Sequence, residues 1–336
     1  PKSVARAVQH DVVTDPVAWY SDFYYLFENG THEEGLLLRD KFLDVGARMD
    51  ARREYLRSEC SRLGLDSSSH KAYAWEYLIN RQYHVIWCNI FKAASTSWMY
   101  NFNLMANYTA AFLDRTKEVP LELARKKYAR PTVEMIRKAQ GDSITFLIVR
   151  HPLERLASAY NDKIVHAWPK SFHDQMGRRI IKKYRKVSSG AKPAPTERYP
   201  VFEEFVSYVL DEAKVKRALD MHWTPYTDFC TPCKFNFDVI LKFETLDEDQ
   251  RFLIQMARLH EVIKPEWRNS GKVQLELDRF LTTQVYALDC NYTKYLHYDE
   301  ITTWVIQMAD QEIPERPATH QQFLWCCKCS WAAVIT

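Results

Sequence analysis

Glycine is scarce in this sequence, with 8 glycines among 336 residues. Walker loops follow the pattern G-x-x-x-x-G-K-[ST] because their backbone must approach phosphate groups closely. That pattern is absent here. The scarcity of glycine argues against a glycine-rich nucleotide-binding fold. A nucleotide kinase or NTPase is therefore a less favoured alternative, which preferential binding of ATP with Mg²⁺ would support.

Long apolar runs and a strong net charge are also missing. No run of about 20 apolar residues occurs, so the sequence contains no candidate membrane span. The net charge of +3 is too small to indicate a nucleic-acid-binding protein. An apolar content of 46% with 26% charged residues is typical of a folded globular protein. Because the chain begins with Pro1, we expect a fragment of a longer protein.

A first strand-to-helix connection carries a lysine and three hydroxyl residues. Val85–Ile90 is an apolar run that predicts a buried strand, and Trp98–Met105 is more typical of a helix. A helix N-terminus favours an anion, and Lys92 adds a flexible positive charge. Hydroxyl donors stand at Ser95, Thr96 and Ser97. The simpler alternative is an ordinary strand–helix turn with a capping hydroxyl group.

A second connection of the same kind follows later in the chain, with Arg150 standing 58 residues after Lys92. Ile144–Val149 predicts a buried strand that runs directly into Arg150 and a helix starting at Pro152. Arg155 and Ser158 lie one turn apart on that helix. The helical pattern of residues 115–139 predicts the crossover that a parallel strand pair requires. Two such anion sites indicate a ligand with two separated phosphate groups.

These stretches resemble motifs of Golgi carbohydrate sulfotransferases. Residues 92–98, KAASTSW, look like the 5′-phosphosulfate loop of that family, and residues 150–160, RHPLERLASAY, resemble its 3′-phosphate motif. A third block, from His222-Trp223 through Cys230-x-Pro-Cys233 to residues 242–246, is similar to the chondroitin and dermatan 4-sulfotransferase branch. Phe91 stands where the family usually has proline, and Ala94 and Ser95 stand where it often has glycine or cysteine.

The resemblance implies an α/β fold with a central parallel sheet flanked by helices, the P-loop nucleotide-kinase-like sulfotransferase fold. It implies 3′-phosphoadenosine 5′-phosphosulfate (PAPS) as the sulfate donor, a glycan as the acceptor, and no metal. The donor-binding residues would be Phe91, Lys92, Ala93, Ala94, Ser95, Thr96, Ser97, Arg150, His151, Pro152, Arg155 and Ser158. A relative that binds glycans but has lost catalysis is the non-enzymatic alternative, suggested by Phe91 and Ala94.

Two residues are candidates for catalysis. Lys92 would neutralise the leaving phosphate. His222 would accept the proton of the acceptor hydroxyl, because an imidazole that titrates near neutral pH suits a general base. His166 and Glu244 are rival bases; Glu244 follows the strand-like residues 239–243.

The resemblance also implies a domain plan and a location. We expect a helical stem or packing region at 1–75, the catalytic domain at 76–310 and a C-terminal tail at 311–336. Within the first region, residues 32–65 predict one or two amphipathic helices that pack on the core or form a stem; the alternative is a solvated, charged face. Residues 170–200 are basic and predict either a groove wall for an acidic glycan or a solvated insertion. Such enzymes are type II membrane proteins of the Golgi lumen, whose anchor would lie outside this chain.

Eight cysteines and three glycosylation sequons fit a luminal protein. A zinc site at Cys230 and Cys233 is a weak alternative, because the cysteines at 326, 327 and 329 lack matching spacing. We expect disulfides instead, among Cys60, Cys230, Cys233 and Cys290, with Cys88 a free thiol in its buried strand. Of the sequons at Asn29, Asn107 and Asn291, Asn107 is the most plausible acceptor.

Overall fold

The computed structural model describes residues 32–185 and 198–263. At their centre lies a sheet with the strand order β1-β2-β3-β4. The strands are β1 (Tyr77–Asn80), β2 (Val85–Cys88), β3 (Ile144–Val149) and β4 (Val239–Lys242). β1 pairs antiparallel with β2, whereas the β2–β3 and β3–β4 pairs are parallel. The predicted α/β fold with a central sheet is thereby confirmed, but the sheet is mixed instead of wholly parallel because β1 runs antiparallel to β2.

Helices surround this sheet. The helices that precede β3 in the chain are α1 (His32–Arg62), α2 (Ser95–Met105), α3 (Ala110–Leu113), α4 (Pro120–Arg125) and α5 (Val133–Ala139). After it come α6 (Pro152–Tyr160), a π-helix (Asn161–Val165), α7 (Phe172–Tyr184), α8 (Phe202–Lys214), α9 (Tyr226–Phe229), a 3₁₀ turn (Phe243–Thr245) and α10 (Leu246–Met256). The chain from 89 to 143, with α2 to α5, forms the predicted crossover between β2 and β3.

The middle strands are continuous apolar runs because they are covered on both faces. Every residue of β2 is buried, as are five of the six residues of β3. Parallel strands covered by helices on both sides have this composition, which is why their boundaries can be read from sequence. Predicted and observed bounds coincide for β3, and β2 ends two residues earlier than predicted.

The long first helix is joined to the core by a buried ion pair. Val45, Met49, Arg52 and Leu56 recur at helical spacing and are all buried. Arg52 Nη1 donates to Asp249 Oδ2 at 2.6 Å, and Asp249 also accepts from the backbone N–H of Lys242 at 2.9 Å. Residues 32–62 therefore form one helix that packs on the core at the end of β4, as one of the two predicted arrangements has it.

Two disulfides join distant parts of the chain. Cys60 of α1 is bonded to Cys233, and Cys88 of β2 is bonded to Cys230. The predicted free thiol at Cys88 is therefore wrong: this cysteine is fully buried, but so is Cys230, which packs against it from a segment 142 residues away. The expected bridging of Cys60, Cys230 and Cys233 is confirmed, whereas Cys290 lies outside the described residues.

Several other predictions concern residues that are not described. These include the sequons at Asn29 and Asn291, the tail at 311–336, and most of the basic stretch beyond residue 185. Asn107 is described: it is exposed, with a left-handed backbone (φ 65°), directly after α2. Among the described residues, no helix has the length and apolar character needed to cross a membrane.

Candidate active site

The loop between β2 and α2 opens at the carboxyl end of the sheet. Lys92 and Ala94 both have left-handed backbones, with φ of 67° and 55°. Non-glycine residues seldom adopt this conformation, and such strain clusters at functional sites. Helix α2 begins at Ser95 with neither a side-chain cap nor an acidic residue in its first turn. The loop thus presents a helix N-terminus whose first turn contains no acidic residue, which favours an anion.

The Lys92 ammonium group lies beside an acidic residue of the π-helix. Its Nζ is 3.1 Å from Asp162 Oδ2, and Lys163 Nζ is equally close to the same oxygen. Burial lowers the pKa of Lys92, while Asp162 opposes that shift. A ligand that displaces Asp162 would place its own negative charge beside the Lys92 ammonium group.

Arg150 follows β3 directly and is held from both sides. The Tyr226 hydroxyl accepts from the Arg150 backbone N–H at 3.0 Å and donates to its carbonyl at 2.8 Å. The guanidinium group lies 4.2 Å from the Phe243 ring centroid, and its Nη1 donates to the Lys92 carbonyl at 3.4 Å. Its Nη2 is buried and has no hydrogen-bond partner within the described ranges. Glu154 Oε2 lies 3.5 Å from Nε on the same group, so the Nη2 N–H groups are the ones that suit an anionic ligand.

Arg155 connects the first loop to the segment that carries His222. Its Nε donates to the Phe91 carbonyl at 2.9 Å, its Nη1 to the Thr224 carbonyl at 2.8 Å and its Nη2 to the Met221 carbonyl at 3.2 Å. Because all three nitrogens are engaged by the backbone, Arg155 fixes the position of the two segments. Direct donor binding by Arg155 stays a prediction.

His222 lies next to the first loop as a result. Its ring centroid is 5.0 Å from that of Phe91. Its Nδ1 is 2.6 Å from Asp220 Oδ1, and the other carboxylate oxygen of Asp220 is 3.0 Å from His173 Nε2. Burial lowers the pKa of His222, although Asp220 opposes the shift. Burial thus favours the neutral imidazole, the form that can accept a proton.

The two rival bases have other contacts. Glu244 Oε1 accepts from the His151 backbone N–H at 2.8 Å, at the start of α6. His166 is exposed, and its Nδ1 lies 2.9 Å from the carbonyl of Asn161 in its own turn. Of the three candidate bases, His222 is thus the one that contacts both Phe91 of the first loop and a carboxylate, that of Asp220.

The remaining predicted donor residues lie along the same two connections. His151 precedes α6 and Pro152 occupies its first turn, as predicted. Ser158 and Ser97 are buried, whereas Thr96 is exposed at the start of α2. Sequence reasoning did not identify Asp162, Asp220, His173 or Tyr226. Only Asp220 had a local signal, since an aspartate two residues before His222 is typical of an Asx turn.

A metal ion does not fit the one candidate cluster that the described residues offer. His173, Asp220 and His222 place one ligand atom each within 4.8 Å of one another. However, the 2.6 Å between His222 Nδ1 and Asp220 Oδ1 is a hydrogen-bond distance. Two ligands of one tetrahedral zinc ion would be about 3.3 Å apart, given bonds of about 2.0–2.1 Å.

Comparison with known proteins gives consistent results. Mouse (Mus musculus) carbohydrate sulfotransferase 11 is 28% identical over 205 residues, which cover 60% of this chain and 58% of that protein. Human (Homo sapiens) carbohydrate sulfotransferase 14 is 28% identical over 232 residues, covering 67% of this chain and 59% of that protein. Human carbohydrate sulfotransferase 9 is 27% identical over 245 residues, covering 69% and 52%.

The chain therefore spans little more than half the length of the curated relatives it matches. No solved structure matches this chain. Residues 75–306, more than half of the sequence, match the model of the sulfotransferase family, and this chain belongs to that family.

Proposed function

We propose that this protein transfers a sulfuryl group from PAPS to a hydroxyl group of a glycan. The observation that carries the proposal is the contact between the two predicted anion sites, where Arg150 Nη1 lies 3.4 Å from the Lys92 carbonyl. A single nucleotide with phosphate groups at both ends can reach both sites only if they are neighbours. The relatives named above, all carbohydrate sulfotransferases, support the choice of acceptor class.

In this proposal the first loop binds the 5′ end of the donor. Lys92, the hydroxyl groups of Ser95 and Thr96, and the N–H groups at the start of α2 hold the phosphosulfate. Arg150 and Ser158 bind the 3′-phosphate and so select this donor over ATP. Arg155 maintains the distance between the donor loop and His222 through its three carbonyl contacts.

The chemistry follows from the position of His222. Its Nδ1 is occupied by Asp220, so Nε2 accepts the proton of the acceptor hydroxyl as that oxygen attacks sulfur. The bond between sulfur and the bridging oxygen breaks, and the leaving phosphate gains a negative charge. Lys92 stabilises that charge, and the imidazolium then releases its proton to solvent. As in phosphoryl transfer, positioning and electrostatic stabilisation supply most of the rate enhancement.

The finer parts of the proposal rest on sequence resemblance. The block from His222 to residue 246 suggests a chondroitin- or dermatan-type acceptor, or another glycan with N-acetylgalactosamine. The same resemblance suggests a Golgi-lumen enzyme with a membrane anchor outside this chain. A luminal location is supported by the two disulfides, because disulfides persist in oxidising compartments.

One assay tests the proposal. Radiolabelled PAPS is offered with chondroitin, dermatan, heparan and N-glycan acceptors to the wild type, to Lys92→Ala and to Lys138→Ala, whose exposed lysine on α5 serves as a matched control. We expect Lys92→Ala to lose at least about 100-fold in turnover with an unchanged circular dichroism spectrum, and Lys138→Ala to behave as wild type.

Three results would contradict the proposal. Near-normal turnover of Lys92→Ala would remove the role assigned to this lysine. Glycan binding without any sulfate transfer would indicate a relative that has lost catalysis. Preferential binding of ATP with Mg²⁺ would indicate an NTPase or nucleotide kinase.

A further inference from the structure

Three largely buried side chains form a chain of hydrogen bonds beside the candidate base. His222 and Asp220 come from the turn before α9, and His173 comes from α7, 47 residues away from Asp220 in sequence. The side chains of Asp220, His222 and His173 are 14%, 13% and 19% exposed. A buried carboxylate is costly unless several donors compensate it, so this arrangement needs a reason.

Asp220 accepts three hydrogen bonds through its two oxygens. Oδ1 accepts from His222 Nδ1 at 2.6 Å and from the His222 backbone N–H at 2.9 Å. Oδ2 accepts from His173 Nε2 at 3.0 Å. Although burial alone would raise it, the hydrogen bonds from His173 and His222 hold the pKa of Asp220 well below its usual range. An ionised carboxylate can only accept, so Nδ1 of His222 and Nε2 of His173 both carry hydrogen.

The turn itself is rigid. The Asp220 carbonyl accepts from the backbone N–H groups of Trp223 and Thr224, at 3.0 and 2.9 Å. Trp223 is buried against Phe205, with ring centroids 5.2 Å apart, in the core that also includes α6 and α7. The carboxylate of Asp220 is therefore held in place independently of any ligand.

We propose that Asp220, itself held by His173, is a positioning residue that fixes His222 as the Nδ1–H tautomer and leaves Nε2 as the base. The inference rests on the proposed role of His222 and deepens it. Without an acceptor at Nδ1, a neutral imidazole would carry its hydrogen on either nitrogen, and an Nε2–H tautomer cannot accept a proton there. His173 keeps the carboxylate oriented and ionised while remaining apart from the reacting atoms.

The pH dependence of turnover has a predictable sign. Three titratable or charged groups act on His222: Asp220 from its own turn favours the imidazolium, whereas Lys163 of the π-helix and His173 of α7 disfavour it. Turnover requires neutral His222 and falls as the pH drops through its pKa. Removing the negative charge of Asp220 therefore moves this acid limb to lower pH.

The test separates the charge of Asp220 from its hydrogen bond. In Asp220→Asn the amide oxygen takes the place of Oδ1, because the His222 backbone N–H also donates to that position, so an acceptor for Nδ1 remains without the charge. We therefore expect the acid limb of kcat to move to lower pH and kcat to fall about tenfold. Asp220→Ala removes the acceptor as well, and we expect kcat to fall about 100-fold. A general base contributes about 10²–10⁴-fold to the rate, and each variant is expected to lose part of that contribution. The KM for PAPS is expected to stay unchanged in both variants.

Matched variants provide the controls. His173→Gln keeps a side-chain N–H for Asp220 and is expected to retain the wild-type kcat. His173→Phe removes that N–H and is expected to lower kcat without moving the limb to lower pH, because His173 itself disfavours the imidazolium. Asp211→Asn removes a carboxylate of α8 that contacts Tyr184 and Lys183, and we expect no shift of the limb.

A direct reading of the tautomer does not require activity. In protein labelled with ¹⁵N-histidine, long-range proton–nitrogen spectra distinguish the two tautomers, and a His222→Asn sample identifies the resonances of His222. We expect the Nδ1–H form in the wild type and in Asp220→Asn, and a mixture that includes the Nε2–H form in Asp220→Ala.

The outcomes are distinct. An Nε2–H tautomer in the wild type overturns the inference, as does an acid limb that stays in place in Asp220→Asn. The inference is also overturned if a chelator abolishes sulfate transfer and added zinc restores it. The expected tautomers in a protein that transfers no sulfate to any acceptor would support the positioning role of Asp220 and contradict the proposed function instead.

Discussion

Arg150→Gln offers a sharp test of the proposed 3′-phosphate site because its effect should depend on one phosphate group of the ligand. The backbone of residue 150 is held by the Tyr226 hydroxyl from both sides, so the substitution leaves the end of β3 in place. What changes is the guanidinium group, whose side chain is 4% exposed and whose Nη2 lacks a partner in the described part of the chain.

The magnitude follows from the burial of this group. A hydrogen bond to a charged partner contributes about 1.5–3 kcal/mol, and losing one partner of a buried charged pair costs about 2–5 kcal/mol. A loss of about 2–4 kcal/mol corresponds to a roughly 30-fold to 1,000-fold increase in Kd. The contacts of Arg150 with the Phe243 ring and the Lys92 carbonyl are also lost, but they affect every ligand of the site equally.

The assay is calorimetric titration with two nucleotides that differ in the 3′-phosphate alone, 3′-phosphoadenosine 5′-phosphate and AMP. We expect Arg150→Gln to weaken binding of the bisphosphate by the factor given above and to change AMP binding less than about threefold. Arg137→Gln, an exposed position on α5, is the matched control and should leave both affinities unchanged. Equal losses for the two nucleotides would show that Arg150 has a structural role, and no loss for either would refute a 3′-phosphate site at Arg150.

Three further predictions concern charge and stability. Asp162→Asn releases Lys92 from a partly exposed ion pair worth about 0.2–1 kcal/mol, so the bisphosphate should bind up to about fivefold more tightly; weaker binding would contradict competition by Asp162. Asp249→Ala removes the carboxylate that pairs with the buried Arg52 and should lower the free energy of unfolding in urea by about 3–5 kcal/mol, against about 0.5 kcal/mol or less for the exposed control Asp247→Ala. The double variant Cys88→Ser/Cys230→Ser opens a loop of 142 residues and should lose about 2–5 kcal/mol, measured as a lower Tm; an unchanged Tm and free thiols at both positions in the wild type would contradict the bridge.

Local sequence determined the strands and the positions of both anion sites. Continuous apolar runs encode strands that are buried on both faces, and the polar residues after them encode the connections to the helices. The carboxyl ends of parallel strands lie at one edge of a sheet, so the sequence also predicted that Lys92 and Arg150 lie close together. These inferences succeed because each depends on a few consecutive residues and on a general property of parallel sheets.

Tertiary structure decided which distant side chains meet. Nothing within β2 indicates that Cys88 forms a disulfide with Cys230. Likewise, nothing near Lys92 indicates that it pairs with Asp162, 70 residues further along the chain. His173 reaches Asp220 only because α7 and the turn at His222 share the core formed around Phe205 and Trp223. Such contacts depend on the path of the whole chain, which residue spacing does not encode, and the proposed orientation of the base arises from them.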